Sequence, residues 1–333
     1  MNSTAAPTSP PAYRRLTFRS GADEIDAWHF PAVGAAFTVD GRAPVVVMAH
    51  GLGGTKDSGL GPFAAQLSDA GLHVLAFDYR GFGASGGNPR QTVDPHRQIA
   101  DYCAAVADAR RLDGTDPDRV VLWGVSLSGG HVFAAAAGDS GVAAVVALTP
   151  LVDGIAAGAL AVRQYPTASL LRSAATGVRS RLGTLAGQPA VTIPIVGRPG
   201  DTAALSLAGY YDDYLALAGP TWRNEIDARI ALTLGSYRPG KYASHVSCPV
   251  LVQIADFDRS APPHAAAQAA FRARAEVRHY PCDHFDVWPG KDWFGPAVDH
   301  QIAFLARHLV STPQPRSGPG IAPPLPATPS TAR

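Results

Sequence analysis

Apolar positions along this chain fall into two rhythms, short continuous runs and helical spacing, and the two take turns. Residues 13–20 and 23–30 read as a pair of strands folded around Gly21-Ala22. Residues 44–49 (Pro-Val-Val-Val-Met-Ala) are a continuous apolar run, as expected of a strand buried on both faces of a parallel sheet. A helix is predicted over 61–70, a strand over 73–78, and a helix over 94–111 with Ile99, Cys103 and Val106 at helical spacing. A strand at 119–125, a helix from about Ser126 and a strand at 142–148 follow. The alternation resumes with a strand at 249–255, a helix at 263–274, a strand at 276–280 and a last helix at 296–309. Strands alternating with helices imply right-handed crossovers and an α/β fold with a mostly parallel sheet.

Residues 151–247 break that alternation. They are rich in Ala and Gly, with helix-like pieces at 154–162, 205–217 and 225–232, and are expected to form a mainly helical cap inserted between two sheet strands. The core is then 13–150 together with 248–310. Three of the 29 prolines lie before residue 13 and seven lie in 311–333, so residues 1–12 and the Pro-rich tail 311–333 are expected to be disordered.

Composition excludes several classes. With 28 Lys+Arg against 27 Asp+Glu the net charge is +1, so no overall basic field favours nucleic acid or an anionic membrane, and neither is an expected partner. The longest apolar stretch, near 142–152, is too short to span a bilayer, and residues 1–12 lack the basic start and apolar run of a secretory signal. Cys103, Cys248 and Cys282 fit neither a disulfide framework nor a zinc motif, and are expected to be reduced, mostly buried thiols of a cytoplasmic protein. No cofactor or metal is called for. The segment Gly51-Leu-Gly-Gly-Thr-Lys56 lacks the Gly-Lys-[Ser/Thr] ending of a phosphate loop.

The chemistry concentrates at strand ends. Gly124-Val-Ser126-Leu-Ser128-Gly-Gly130 sits where a strand gives way to a helix. A nucleophile elbow needs small residues two before and two after its serine; Gly124 meets the first need, and Ser128 stands where glycine is usual. The competing reading is an ordinary strand–helix turn with a capping serine. Two later sites shift the balance. Asp256-Phe-Asp258 ends one strand, and Asp283-His284 follows the next, so Ser126, Asp258 and His284 occur in the order Ser…Asp…His.

On these residues the chain resembles the α/β-hydrolase fold serine hydrolases. His50-Gly-Leu-Gly-Gly54, Asp78-Tyr-Arg-Gly-Phe-Gly-Ala-Ser85 and the later Pro249…Asp258…Pro262 and His284-Phe are further matches, covering about 13–310 with the cap matched least. The resemblance implies an α/β-hydrolase fold with a mostly parallel eight-stranded sheet. It also implies Ser126 as nucleophile, His284 as general base and then acid, and Asp258 as the orienting carboxylate. Backbone N–H groups of Leu52 and Leu127 would form the oxyanion hole. Asp258 is preferred to Asp256 because it lies three residues past Ala255, the family's usual Gly position, and four before Pro262.

The expected activity is cleavage of a carboxylic ester of a small or medium-sized molecule through an acyl-serine. A C–C or amide hydrolase or an acyl transferase would use the same triad, and a ligand-binding pseudo-hydrolase is the non-enzymatic alternative. His131, five residues past Ser126, is expected to pack behind the elbow. Six of the ten tyrosines and eight arginines lie in 151–247. They suggest a partly polar pocket wall and admit a substrate bearing a free acid, with the cap–core interface and solvated faces as the competing placements.

Overall fold

The computed structural model describes residues 13–310; the segments 1–12 and 311–333, expected to be disordered, lie outside the described residues. β1 (Arg14–Ser20) and β2 (Asp23–Phe30) form the expected antiparallel hairpin, with Gly21 at φ +61° supplying the left-handed turn residue. All seven residues of β3 (Ala43–Ala49) are buried. The chain continues through α1 (Leu60–Asp69), β4 (His73–Phe77), α2 (Pro95–Ala109), β5 (Thr115–Val125), α3 (Leu127–Gly138) and β6 (Val142–Leu148). Asp94 caps α2, its side chain accepting from His96 and Arg97 N–H ahead of Pro95.

An insert then leaves the sheet. It holds α4 (Gly154–Gln164), α5 (Thr167–Leu185), the two-residue strands β7 (Thr192–Ile193) and β8 (Ile226–Asp227), α6 (Tyr210–Leu217), and α7 (Ile230–Thr233). Two 3-10 turns follow, Leu234–Ser236 and Pro239–His245. The helix expected at 225–232 is instead a short strand and one helical turn, and α5, the longest helix of the insert, is not among the expected pieces. The core resumes with β9 (Val250–Ala255), α8 (Pro263–Ala273), β10 (Glu276–Tyr280) and α9 (Phe294–Leu309).

The eight-stranded sheet runs β1-β2-β4-β3-β5-β6-β9-β10. The pairs β1–β2 and β2–β4 are antiparallel and every other pair is parallel. Because β3 has β4 on one side and β5 on the other, the chain reverses its winding there, and the crevice beyond the carboxyl ends of such strands is where α/β sheets bind ligands. The helices flank the sheet, α1 beside α9, and α2 beside α3.

Two buried polar clusters hold this frame. Trp123 Nε1 donates to Gln301 Oε1 (3.0 Å), Gln301 Nε2 to Gln253 Oε1 (2.7 Å), and Gln253 Nε2 to Tyr280 Oη (2.7 Å). That chain ties β5, α9, β9 and β10 into one register, with the buried donors matched to acceptors. Near the hairpin, the 2%-exposed Lys56 ammonium pairs with both Asp26 and Asp78 at 2.6 Å. Ser85 closes the cluster, donating to Asp78 O (2.7 Å) and accepting from Asp26 N–H (2.8 Å). The motif Asp78…Ser85 is therefore a structural brace, and Lys56 is its counter-ion.

Candidate active site

The turn from β5 into α3 is forced by close approach. Ser126 takes φ +57°, ψ −119°, a left-sided backbone that a non-glycine residue keeps only when its surroundings impose it. A Cβ on Gly124 would lie 2.3 Å from Ser128 O, and one on Gly51 would lie 2.8 Å from Ser126 Cβ, so both positions must be glycine. Ser128 is fully buried and employed: its hydroxyl donates to Ala49 O (2.7 Å) and accepts from Val125 N–H (2.9 Å). The departure from glycine thus pins the elbow to the end of β3.

Asp258 follows β9 and is 5% exposed; its Oδ1 accepts N–H groups of Ser260 and Ala261, both at 2.7 Å. Its Oδ2 lies 2.6 Å from His284 Nδ1. Asp256 instead pairs with His279 at the surface, 2.7 Å away, so Asp258 alone of the two candidate carboxylates meets the histidine. Burial pulls the His284 pKa down, but the charge and hydrogen bond of Asp258, with the charge of Asp283, outweigh it and leave the imidazole above its ordinary value. Asp283 is itself a hub. It accepts His284 N–H (2.7 Å), Arg259 N–H (3.0 Å) and Nε (2.6 Å), and the Tyr210 hydroxyl (3.1 Å).

Ser126, His284, Leu52 and Leu127 all border one cavity of about 390 Å³. The Ser126 hydroxyl makes no hydrogen bond among the described residues; nucleophile–base contacts often tighten only around substrate. Ala157 and Ala161 of α4, Leu170 and Ala174 of α5, and Leu205 make the opposite wall aliphatic. Of the six insert tyrosines only Tyr165 reaches this wall, and none of the eight insert arginines does. Ser169, Ser173, Asp201, Ser206 and, from the core, Arg259 also line the cavity, so its polar groups come mainly from residues other than the insert's tyrosines and arginines.

The tyrosines are engaged elsewhere. Tyr210 and Tyr214, one turn apart on α6, are buried against Phe285. Tyr210 donates to Asp283, beside His284, and Tyr214 donates to Leu52 O (3.1 Å), so one helix of the insert touches both the histidine loop and the loop of Leu52. His50 braces that second loop, its Nε2 bonded to Ser58 O (2.9 Å) and its ring stacked on Trp288. Burial lowers its pKa to about 4.

His131 packs behind the elbow, with Nε2 donating to Gln98 Oε1 (2.9 Å) and Nδ1 accepting from Tyr237, and burial lowers it to about 3. Cys282 is buried and pushed up to about 12 by burial and nearby carboxylates, which leaves it a thiol rather than a nucleophile. Cys103 is exposed, contrary to expectation for a mostly buried set. A larger cavity of about 530 Å³ lies between the start of α2 and the insert, near Gln98, Asp227 and Tyr237. It is lined by none of Ser126, Asp258 and His284, so the smaller one is the candidate site. Among the described residues no three His, Cys, Asp or Glu side chains converge as a metal site would need.

Comparison with known proteins agrees with this architecture. Residues 44–291 match the family model described as the alpha/beta hydrolase fold. The chain is 38% identical to the quorum-quenching protein AidA of Acinetobacter baumannii, over 81% of this chain and 88% of that one. It is 27% identical to the polyketide transferase grgF of Penicillium sp., over 86% and 92%. The crystal structure of GrgF superposes with a TM-score of 0.73 at 23% identity, covering 91% of this chain and all of that one. The hypothetical protein PA2218 of Pseudomonas aeruginosa gives 0.75 at 22%, covering 91% and 96%.

Proposed function

The chain belongs to the α/β-hydrolase family, and within it we propose that it cleaves a carboxylic ester carrying a small or medium-sized, mainly apolar acyl group, through an acyl-serine intermediate. The observation that carries the reading is the buried Asp258–His284 pair at 2.6 Å, whose histidine borders the same largely aliphatic cavity as a serine on a positive-φ turn. In this mechanism His284 takes the proton of Ser126 as its oxygen attacks the ester carbonyl. The tetrahedral oxyanion rests on the N–H groups of Leu52 and Leu127, the second at the N-terminus of α3, where the helix dipole favours negative charge. Collapse expels the alcohol, which leaves with the proton from His284. Water, deprotonated by His284, then attacks the acyl-serine and frees the acid and the Ser126 hydroxyl. Asp258 holds Nδ1, leaving Nε2 to carry the proton throughout.

A cavity of about 390 Å³ with aliphatic walls suits a substrate at the lower end of the usual small-molecule range. A second reading, transfer of the acyl group to another alcohol or an amine instead of water, draws support from the relative named a polyketide transferase.

A fluorophosphonate probe tests the shared step: wild type is labelled at Ser126, and Ser126→Ala loses both labelling and turnover of p-nitrophenyl esters. Folded wild-type protein that resists the probe would overturn the reading. Product that forms only when a second alcohol or amine is added would select transfer over hydrolysis.

A further inference from the structure

Helix α5 is inverted. Its inward side carries Ser169, Gly177 and Ser180, all buried. Leu171, Val178, Leu182 and Leu185 are 66%, 46%, 61% and 78% exposed, and at 100° per residue they share an arc of about 60°. On α4, Ile155 and Val162, seven residues apart, are 58% and 69% exposed. An ordinary surface helix does the reverse. The orientation is fixed from inside: Ser180 Oγ donates to Asp227 Oδ1 (2.9 Å) and accepts Val191 N–H (3.0 Å), and a Cβ on Gly177 would meet Ala228 O at 2.9 Å. Rotating the leucines inward would break both hydrogen bonds and force bulk into that contact.

The two helices themselves carry one sign of charge. Residues 154–200 hold five arginines and no Asp or Glu, a local segregation that the whole-chain charge of +1 conceals. Arg163, Arg172, Arg179 and Arg181 are exposed. None of these four pairs with a carboxylate among the described residues. Another edge of α5, with Leu170 and Ala174, lines the candidate catalytic cavity, so the apolar stripe adjoins it.

We propose that the outer face of α4 and α5 docks on an anionic lipid bilayer, α5 lying in the interface with its leucines among the acyl chains and its arginines at the headgroups. Two copies meeting through this face would set arginine against arginine, which a membrane of anionic lipid does not. The attachment is peripheral, since among the described residues no helix is long and apolar enough to cross a membrane. It departs from the expectation drawn from net charge, and it stands whether or not the ester reading does.

Vesicle flotation of the full chain tests it, using phosphatidylcholine vesicles with and without about one-third phosphatidylglycerol. Wild type and Ser126→Ala should float equally with the anionic vesicles, less at high salt, and stay behind with neutral ones. Arg179→Gln with Arg181→Gln should weaken partitioning roughly 25-fold, about five-fold for each charge. Leu171→Ser with Leu182→Ser should weaken it strongly at an unchanged melting temperature, since both side chains are exposed. Equal flotation with neutral vesicles, or variants that float like wild type, overturns the proposal. So does absence of flotation, whether accompanied by a dimer that the leucine variant dissolves or by retention on immobilised polyglutamate, which would assign the face to an acidic protein.

Discussion

Ser128 stands two residues past the proposed nucleophile Ser126, where the motif reads glycine, and its hydroxyl spans from Val125 N–H to Ala49 O. A motif records which side chains fit a turn; it is silent on a larger one that fits by bonding. Asp256 and Asp258 show the same limit, because a three-residue loop beyond β9 decides which of them turns toward His284. Asp283 acts on that histidine by charge. With the His284 pKa raised, the acid limb of the kcat/KM profile should lie above pH 6.5. Asp283→Asn should move it to lower pH, by removing one of the charges that hold the proton. A profile that keeps its position would show that Asp283 contributes only hydrogen bonds. Lys56 is the opposite case, a charge that serves the fold. Lys56→Met leaves two buried carboxylates facing each other, and denaturant unfolding should register a loss of about 3–5 kcal/mol.

Among the elements, strands and crossover helices of the core were legible because their apolar runs and spacing reflect a sheet covered on both sides. Order along the chain and position at strand ends singled out Ser126, Asp258 and His284, of which the structure pairs Asp258 with His284 and sets Ser126 and His284 on one cavity. α5 was not legible: its inward face is Ser and Gly and its leucines point outward, so a rule that apolar means buried finds no helix face there. Of the two placements open to the tyrosines of α6, pocket wall or cap–core interface, the structure takes the second: they reach past the cavity to the loops that surround it. Tyr214→Phe keeps the ring against Trp222 and Phe285 while releasing Leu52 O. Turnover of a p-nitrophenyl ester should fall about two- to ten-fold in kcat with KM little changed, the worth of one neutral hydrogen bond. A change confined to KM would mean that α6 serves substrate binding alone.

At the scale of the whole molecule, the buried imidazoles set a limit on acid tolerance. His50 and His131 are held neutral, lowered to about 4 and about 3 from 6.5. Below pH 6.5 the unfolded chain binds protons that the folded one refuses, so their contribution is complete above that pH and declines as pH falls toward 4. His284, raised, works the other way, but it is one group against four, since burial also lowers His29 and His73. Denaturant titrations at pH 7 and pH 5 should therefore show lower stability at pH 5. The insert raises a different matter. It departs from β6 and rejoins at β9, and these strands are neighbours, with Val145 opposite Val250. A long excursion whose two ends lie side by side can be exchanged for another without disturbing the register of a single core strand. Yet Tyr210 and Tyr214 travel with it. A transplanted lid that brought no substitute for those two hydroxyls would give a protein that folds but whose two loops at the candidate site have lost their common anchor, so swapping specificity between such chains requires grafting the anchor along with the lid.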